Sequence, residues 1–293
     1  MERKSSDKCL LCGINEATKK NSHILPKFIS SDFLGDNNKR GFVIESKLGT
    51  KKIIQDSPKE DYIFCPNCEQ YFSLIEGEIA LEIKQIHSEN NNDAIELITS
   101  ENTAISPKIF HLFYYSQFWR ASVSKLDIFA LFKLSKETEK HLRDELNKFN
   151  AQTKTEFYDS LELNEFIDIK PYLVMTSFVF PDKTKNLIFA PYDKYPYYII
   201  ADKFGIILYD NFVEIPEQNQ IFFNTEKEHR KICIFPSSLW EESINIHLYE
   251  LAERFKINKE RQTKLKSLAD QLSKLTSHEA SELREKLREH GIK

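Results

Sequence analysis

The sequence predicts an α+β protein: a small metal-bound module at the N-terminus, then a helical layer, an antiparallel β-sheet and a C-terminal helical hairpin. Three observations carry this expectation. Four cysteines form two CxxC pairs before residue 70, and the hydrophobic period is helical over residues 107–150. Short β-branched and aromatic runs then occupy residues 170–236, before the helical period returns over 238–293. At roughly 150 residues per domain, 293 residues give about two domains, which we divide as 1–90 and 91–293.

Composition excludes several classes. With 41% hydrophobic and 12% aromatic residues the chain can bury a core, so global disorder is out. No stretch reaches the ~18 uninterrupted apolar residues of a bilayer crossing. The basic start, MERKSSDKCL, lacks the apolar region of a secretion signal, so a soluble, cytoplasmic protein is expected. Seven glycines leave little room for phosphate-cradling loops; neither GxGxxG nor GxxxxGK[ST] occurs, nor a GxSxG nucleophile elbow. The net charge of −4 neither demands nor excludes a nucleic-acid partner, because local patches decide that.

The N-terminal module is defined by Cys9/Cys12 and Cys65/Cys68. A CxxC pair presents two thiolates on one tight knuckle, and two knuckles complete a tetrahedral Zn²⁺ shell. In a chain with no secretory signal, structural zinc is favoured over disulfides; the competing reading is two unrelated redox or chance pairs. Between the knuckles, Phe42-Val-Ile-Glu and Lys51-Lys-Ile-Ile predict a hairpin around Leu48-Gly49. Phe72, Ile75 and Ile79 predict a helix from the second knuckle, weakened at its far end by Gly77, and Ser88–Asp93 has the composition of a loop.

In the helical layer, IFHLFYYSQFWRASV is apolar on nearly every side, as a buried helix is. KETEKHLRDELNKF carries Leu142, Leu146 and Phe149 on one face behind a Ser135 N-cap. The sheet should contain YLVMTSFVF, NLIFAPY, YYIIA, GIILYD, QIFFN and KICIF, four to six strands in all, with Cys233 a small buried hydrophobe. At the C-terminus Leu265, Leu268, Leu272 and Leu275 form a short coiled-coil-like seam that packs either on the body or on a second copy, and Thr276 and Glu279 form a capping box.

The segment between the knuckles holds Asn21-Ser-His23-Ile-Leu-Pro26-Lys-Phe, and the second knuckle reads Cys65-Pro-Asn-Cys68-Glu69-Gln-Tyr-Phe-Ser-Leu-Ile-Glu76. On its own, His23 is a core or surface histidine. Between two halves of one zinc site, however, it can be held beside the helix that follows Cys68. In these motifs the chain resembles the zinc-dressed branch of the HNH nuclease superfamily, over roughly residues 9–80. YSQFWRASV at 115–123 is similar to a segment that follows this module in bacterial HNH-like proteins.

The resemblance implies a treble-clef, ββα-metal fold and metal-assisted phosphodiester hydrolysis. His23 matches the general base, and the four cysteines become scaffold, since soft thiolates suit Zn²⁺ and not Mg²⁺. A single Mg²⁺ or Mn²⁺ is implied at the scissile phosphate. Ser22 stands where the family has an acidic metal ligand, and Glu69 where it has Asn. At about 100° per residue, Glu76 falls within about 20° of Glu69 while Glu78 points away. Glu69 and Glu76 therefore offer hard oxygen ligands beside His23, or else are solvated helix residues with Glu69 complementing the helix dipole.

Arg120 is a candidate nucleic-acid contact through bidentate phosphate binding, against the plainer reading of an arginine paired with an acidic neighbour. Lys27 adds positive charge near the first knuckle. Arg254, Lys256, Lys259, Arg261, Lys264 and Lys266, against Glu260 alone, either neutralise backbone phosphates or form a solvated helix face. Two functions follow as expectations. The first is an HNH-like endonuclease acting on DNA. The second is a zinc-stabilised nucleic-acid-binding or adaptor protein without catalysis, in a larger, defence-type complex or as a homodimer through its C-terminal helices. Neither involves a membrane.

Overall fold

The computed structural model describes residues 2–28, 41–45, 50–89, 96–99, 106–166, 172–177, 187–189, 197–201, 204–209 and 231–234, with nine helical positions between 253 and 267. The chain mixes helix and sheet and divides into two compact units, Met1–Ile244 and Asn245–Lys293. Among the described residues no helix is long and apolar enough to cross a membrane.

The first unit opens with β1 (Ser22–His23), the hairpin β2 (Gly41–Glu45) and β3 (Thr50–Ile54), and β4 (Lys59–Glu60). β2 and β3 pair antiparallel with Gly41 opposite Ile54, as the two apolar runs predict. β1 and β4 form a separate ribbon, Ser22 opposite Glu60 and His23 opposite Lys59. The long helix α1 (Pro66–Glu89) then starts inside the second knuckle, with Pro66 in its first turn. It runs through Gly77 and on to Glu89, past the predicted loop boundary. Gly77 lies on the exposed face with open space around it, and burial of Tyr71, Phe72, Ile75 and Ile79 outweighs its cost of about 1 kcal/mol.

β5 (Glu96–Thr99) precedes α2 (Pro107–Val123), in which Ser106 caps the N-terminus by accepting from the Lys108 amide. Every residue from Ile109 to Ser122 is buried, so α2 is the axis of the core. Phe72 of α1 stacks on its Trp119 at 6.4 Å, joining α1 to α2, and Phe64, just before α1, tilts against the same ring at 6.0 Å. A 3₁₀ turn (Asp127–Phe129) leads to α3 (Lys136–Lys148), capped by Ser135, with Leu142, Leu146 and Phe149 buried as predicted. α4 (Lys154–Leu163) opens on a full capping box between Thr153 and Glu156. Lys108 Nζ closes its other end on the carbonyls of Leu161 and Asn164, both at 2.8 Å.

The remaining strands are β6 (Tyr172–Ser177), β7 (Leu187–Phe189), β8 (Tyr197–Ala201), β9 (Phe204–Tyr209) and β10 (Lys231–Ile234). Four of the predicted runs pair antiparallel as β6–β9–β8–β7. Two features differ from an isolated antiparallel sheet. The N-terminal hairpin extends it to six strands, β3–β2–β7–β8–β9–β6, and β2 runs parallel to β7. KICI leaves that sheet to pair with β5, Cys233 opposite Leu97. Both are long-range pairings that period-2 patterning cannot foresee. QIFFN, the leucine seam and the Thr276 capping box lie outside the described residues; of the predicted C-terminal hairpin, only the helical positions between 253 and 267 are described.

One buried cluster runs from Cys9, Leu11 and Ile24 through α1, α2, α3 and α4 to Ile199 and Leu208. The N-terminal module thus shares its core with the helical layer.

Candidate metal centre and histidine site

Each knuckle is shaped by backbone bonds. The amides of Cys9 and Gly13 bond the Asn15 and Cys9 carbonyls at 2.8 and 2.9 Å, and Gly13 takes the left-handed conformation (φ 67) that this tight reversal needs. In the second knuckle the Glu69 amide reaches the Cys65 carbonyl at 3.1 Å, the first bond of α1. The ligand atoms of Cys9, Cys12, Cys65 and Cys68 all lie within 4.8 Å of one another, with Cys12 Sγ and Cys65 Sγ 3.9 Å apart. Four thiolates around tetrahedral Zn²⁺ at about 2.3 Å sit about 3.8 Å apart, so spacing and donor type both fit zinc.

Without an ion the thiols compete. The Cys68 thiol bonded to Cys9 pulls Cys9 down to about 5, while that bond and burial push Cys68 up. A bound dication removes the conflict by ionising all four.

Sequence reasoning missed what surrounds this centre. Asn15 donates its side-chain amide to Cys65 Sγ at 3.8 Å, and Asn150, just past α3, donates to Cys68 Sγ at 3.6 Å. Arg143 Nε and Asn147 Nδ2 hold the Leu11 carbonyl at 2.8 and 2.9 Å. Residues 143, 147 and 150 follow a 4,3 spacing, so one face of the α3 end grips both knuckles. Only that spacing is visible in sequence; its target is more than 80 positions away.

His23 is half-buried on β1. Its Nδ1 is bonded to Ser57 Oγ, and Ser57 is fixed in turn by its amide on Asp56 Oδ1 at 2.8 Å. The Ile24 amide bonds the Pro58 carbonyl at 2.9 Å, which locks the ribbon in register. Burial and then the nearby Lys59 hold the imidazole below its usual value; Asp56 pulls the other way, and Arg120 and Lys27 add smaller downward pushes. Burial and the surrounding lysines and Arg120 thus favour the uncharged ring, with Asp56 opposing them. Ser22, beside it, is fully buried, and its hydroxyl has no hydrogen-bond partner among the described residues.

Arg120 lies inside the protein, its side chain 3% exposed. Its Nη2 donates to Glu76 Oε1 at 2.6 Å, its Nη1 to the His23 carbonyl at 2.9 Å, and its Nε to the Ser116 carbonyl at 3.3 Å. The guanidinium also stacks over the Phe72 ring at 4.8 Å. Placed there it is a positioning group, not a surface phosphate contact. Glu76 is thus paired; burial raises its carboxyl, Arg120 lowers it, and nearby Glu69 raises it further. Glu69 is partly exposed on the same side of α1, and Glu78 faces α4, bonded to Tyr158 Oη at 2.8 Å and Lys154 Nζ at 2.7 Å.

Among the described residues, those around His23 do not fit a second, hard-metal centre. Among the described residues the four cysteines are the one group of three or more His, Cys, Asp or Glu side chains able to hold an ion. Glu76 is already neutralised by Arg120, and a dication about 4 Å from the guanidinium would be repelled by about 8 kcal/mol at an effective dielectric of about 20. Of the predicted nucleic-acid contacts, Lys27 is exposed after β1 and Lys264 exposed on the helix of the second unit. Arg261 lies outside the described residues.

No protein-family model, no curated protein and no solved structure matches the chain.

Proposed function

We propose that the protein is an HNH-like endonuclease that hydrolyses phosphodiester bonds of DNA, with His23 as general base and a structural zinc held by the four cysteines. The observation that carries this reading is the His23 site itself: a half-buried imidazole whose charged form is disfavoured by burial, on a two-stranded ribbon, followed by the helix that starts inside the second CxxC pair. Strand, strand and helix in that order, next to a CxxC pair, is what a treble-clef ββα module requires. A neutral histidine among lysines suits an anionic substrate attacked by water.

In this reading His23 Nδ1–H donates to Ser57 Oγ, and Nε2 takes the proton of the attacking water. The water oxygen bonds to phosphorus, and the leaving oxygen departs with a proton from solvent. Lys27 and Lys59, the latter paired with Asp56, add positive charge for the phosphate, and on the second unit Lys264 and Arg261 would neutralise backbone phosphates. Zinc, once bound, supplies a fixed scaffold that sets β1 against α1 and no chemistry at phosphorus.

The second reading, a non-catalytic nucleic-acid-binding or adaptor subunit, is favoured by Ser22, whose buried hydroxyl occupies the position of an acidic ligand. Purified protein and His23→Ala, each incubated with plasmid DNA, separate the two. Nicking lost in the variant supports the nuclease. DNA binding equal in both proteins, with no nicking by either, supports the second reading.

A further inference from the structure

We infer that Arg120 is the resident cation of the His23 site: its guanidinium bridges Glu76 Oε1 and the His23 carbonyl and leaves Glu76 neutralised toward a divalent ion, so this site acts on a phosphodiester without a second metal. The inference rests on the nuclease reading for its substrate and on geometry alone for its cation.

The geometry has three parts. First, one guanidinium joins α1 to β1, with donors 2.6 Å from Glu76 Oε1 and 2.9 Å from the His23 carbonyl. These elements are brought together by a residue from a third element, 97 positions from His23 in sequence. Second, the cation cannot easily leave. Arg120 is held by the Ser116 carbonyl at 3.3 Å and by the Phe72 face at 4.8 Å, and its side chain is 3% exposed. Guanidinium stays charged at every accessible pH and offers donors in a fixed fork, so it can bridge two oxygens as a permanent ion does. Third, among the described residues the other carboxylates near the ribbon are engaged. Asp56 is paired with Lys59 and holds the Ser57 amide, Glu60 accepts from Ser124 Oγ and the Lys125 amide, Glu78 is turned to α4, and Ser22 supplies a buried hydroxyl, not a carboxylate. Mg²⁺ keeps several waters and is bound through one or two carboxylates, so pairing Glu76 with Arg120 takes away the ligand that such an ion would use here.

Arg120 is therefore a positioning residue. It fixes the His23 backbone, and through it the ring, against α1, the structural task that a bridging metal would otherwise perform. It does not touch the substrate.

The test is a manganese titration of the zinc-loaded full-length protein followed by electron paramagnetic resonance of free Mn²⁺, on wild type, Glu76→Gln and Arg120→Met. Wild type and Glu76→Gln should both bind Mn²⁺ no tighter than millimolar. Arg120→Met, with Glu76 released and the positive charge gone, should bind at least about tenfold tighter. Micromolar binding by wild type that is lost in Glu76→Gln overturns the proposal, as does a folded Arg120→Met that gains no affinity. If Arg120→Met does not fold, wild type against Glu76→Gln still decides. Plasmid cleavage measured with and without added Mg²⁺ serves as the second arm. Equal rates agree with a resident cation, and a Mg²⁺-dependent rise lost in Glu76→Gln contradicts it. If no condition gives cleavage, the nuclease reading fails while the manganese titration still judges Arg120.

Discussion

Asn150, two residues past the end of α3, donates its side-chain amide to Cys68 Sγ at 3.6 Å, so the helical layer supplies an outer shell to the cysteine centre. Hydrogen bonds to a ligating thiolate offset its charge, and their loss typically weakens metal binding about tenfold or more. Asn150→Ala should bind metal about tenfold more weakly in a chelator competition and shift the sulfur-to-cobalt charge-transfer band of the cobalt-substituted protein. Asn147→Ala removes a bond to the Leu11 carbonyl and touches no sulfur. It should lower stability by about 1 kcal/mol and leave the band in place.

Gly13 tests the knuckle backbone. Its φ of 67 lies in the left-handed region, and a Cβ there would stand 2.9 Å from Arg143 Nη2. Gly13→Ala should destabilise the metal-loaded protein by about 1–2 kcal/mol in urea unfolding, because alanine strains the turn and Arg143 must shift from the Leu11 carbonyl. An unchanged midpoint would mean that the knuckle relaxes without loss.

The imidazole of His23 should titrate below 6.5, since burial and Lys59 disfavour its charged form. The sign follows directly: removing Lys59 removes a repulsion and raises the value, whereas removing Asp56 removes an attraction and lowers it. The unfolded chain takes up the proton more readily than the folded one. His23 therefore favours the fold above the unfolded value near 6.5, and this contribution is lost as pH falls below it. Following the His23 ring proton by NMR in wild type, Lys59→Ala and Asp56→Asn checks all three.

Much of this architecture was readable locally. The CxxC pairs gave the four-cysteine cluster, Phe42–Ile54 the hairpin, Ser135 the start of α3, and the β-branched runs the places of β6 to β9. α4 was missed: Thr153 and Glu156 spell a capping box, but its helix has few apolar residues to mark it. What could not be read was long-range. The parallel junction of β2 with β7, the pairing of β10 with β5 and the grip of Arg143, Asn147 and Asn150 on the knuckles depend on which distant segments pack together. At the histidine site, helical spacing placed Glu69 and Glu76 on one side of α1. That Arg120 would arrive from α2 and neutralise Glu76 has no local signature.

Removing Arg120 leaves a buried carboxylate without its partner. Arg120→Met should cost about 3 kcal/mol in urea unfolding, and the double variant Arg120→Met/Glu76→Gln should recover part of that loss because no charge is left stranded. A double variant as unstable as the two single losses combined would mean that the pair is not coupled.

The most direct test of the histidine-centred nuclease is single-turnover cleavage of end-labelled duplex DNA by zinc-loaded wild type and His23→Ala, with and without added imidazole. Loss of a general base should slow cleavage about 10²- to 10⁴-fold, and imidazole should restore part of the rate. Equal rates in both proteins, or no cleavage by wild type, would contradict it.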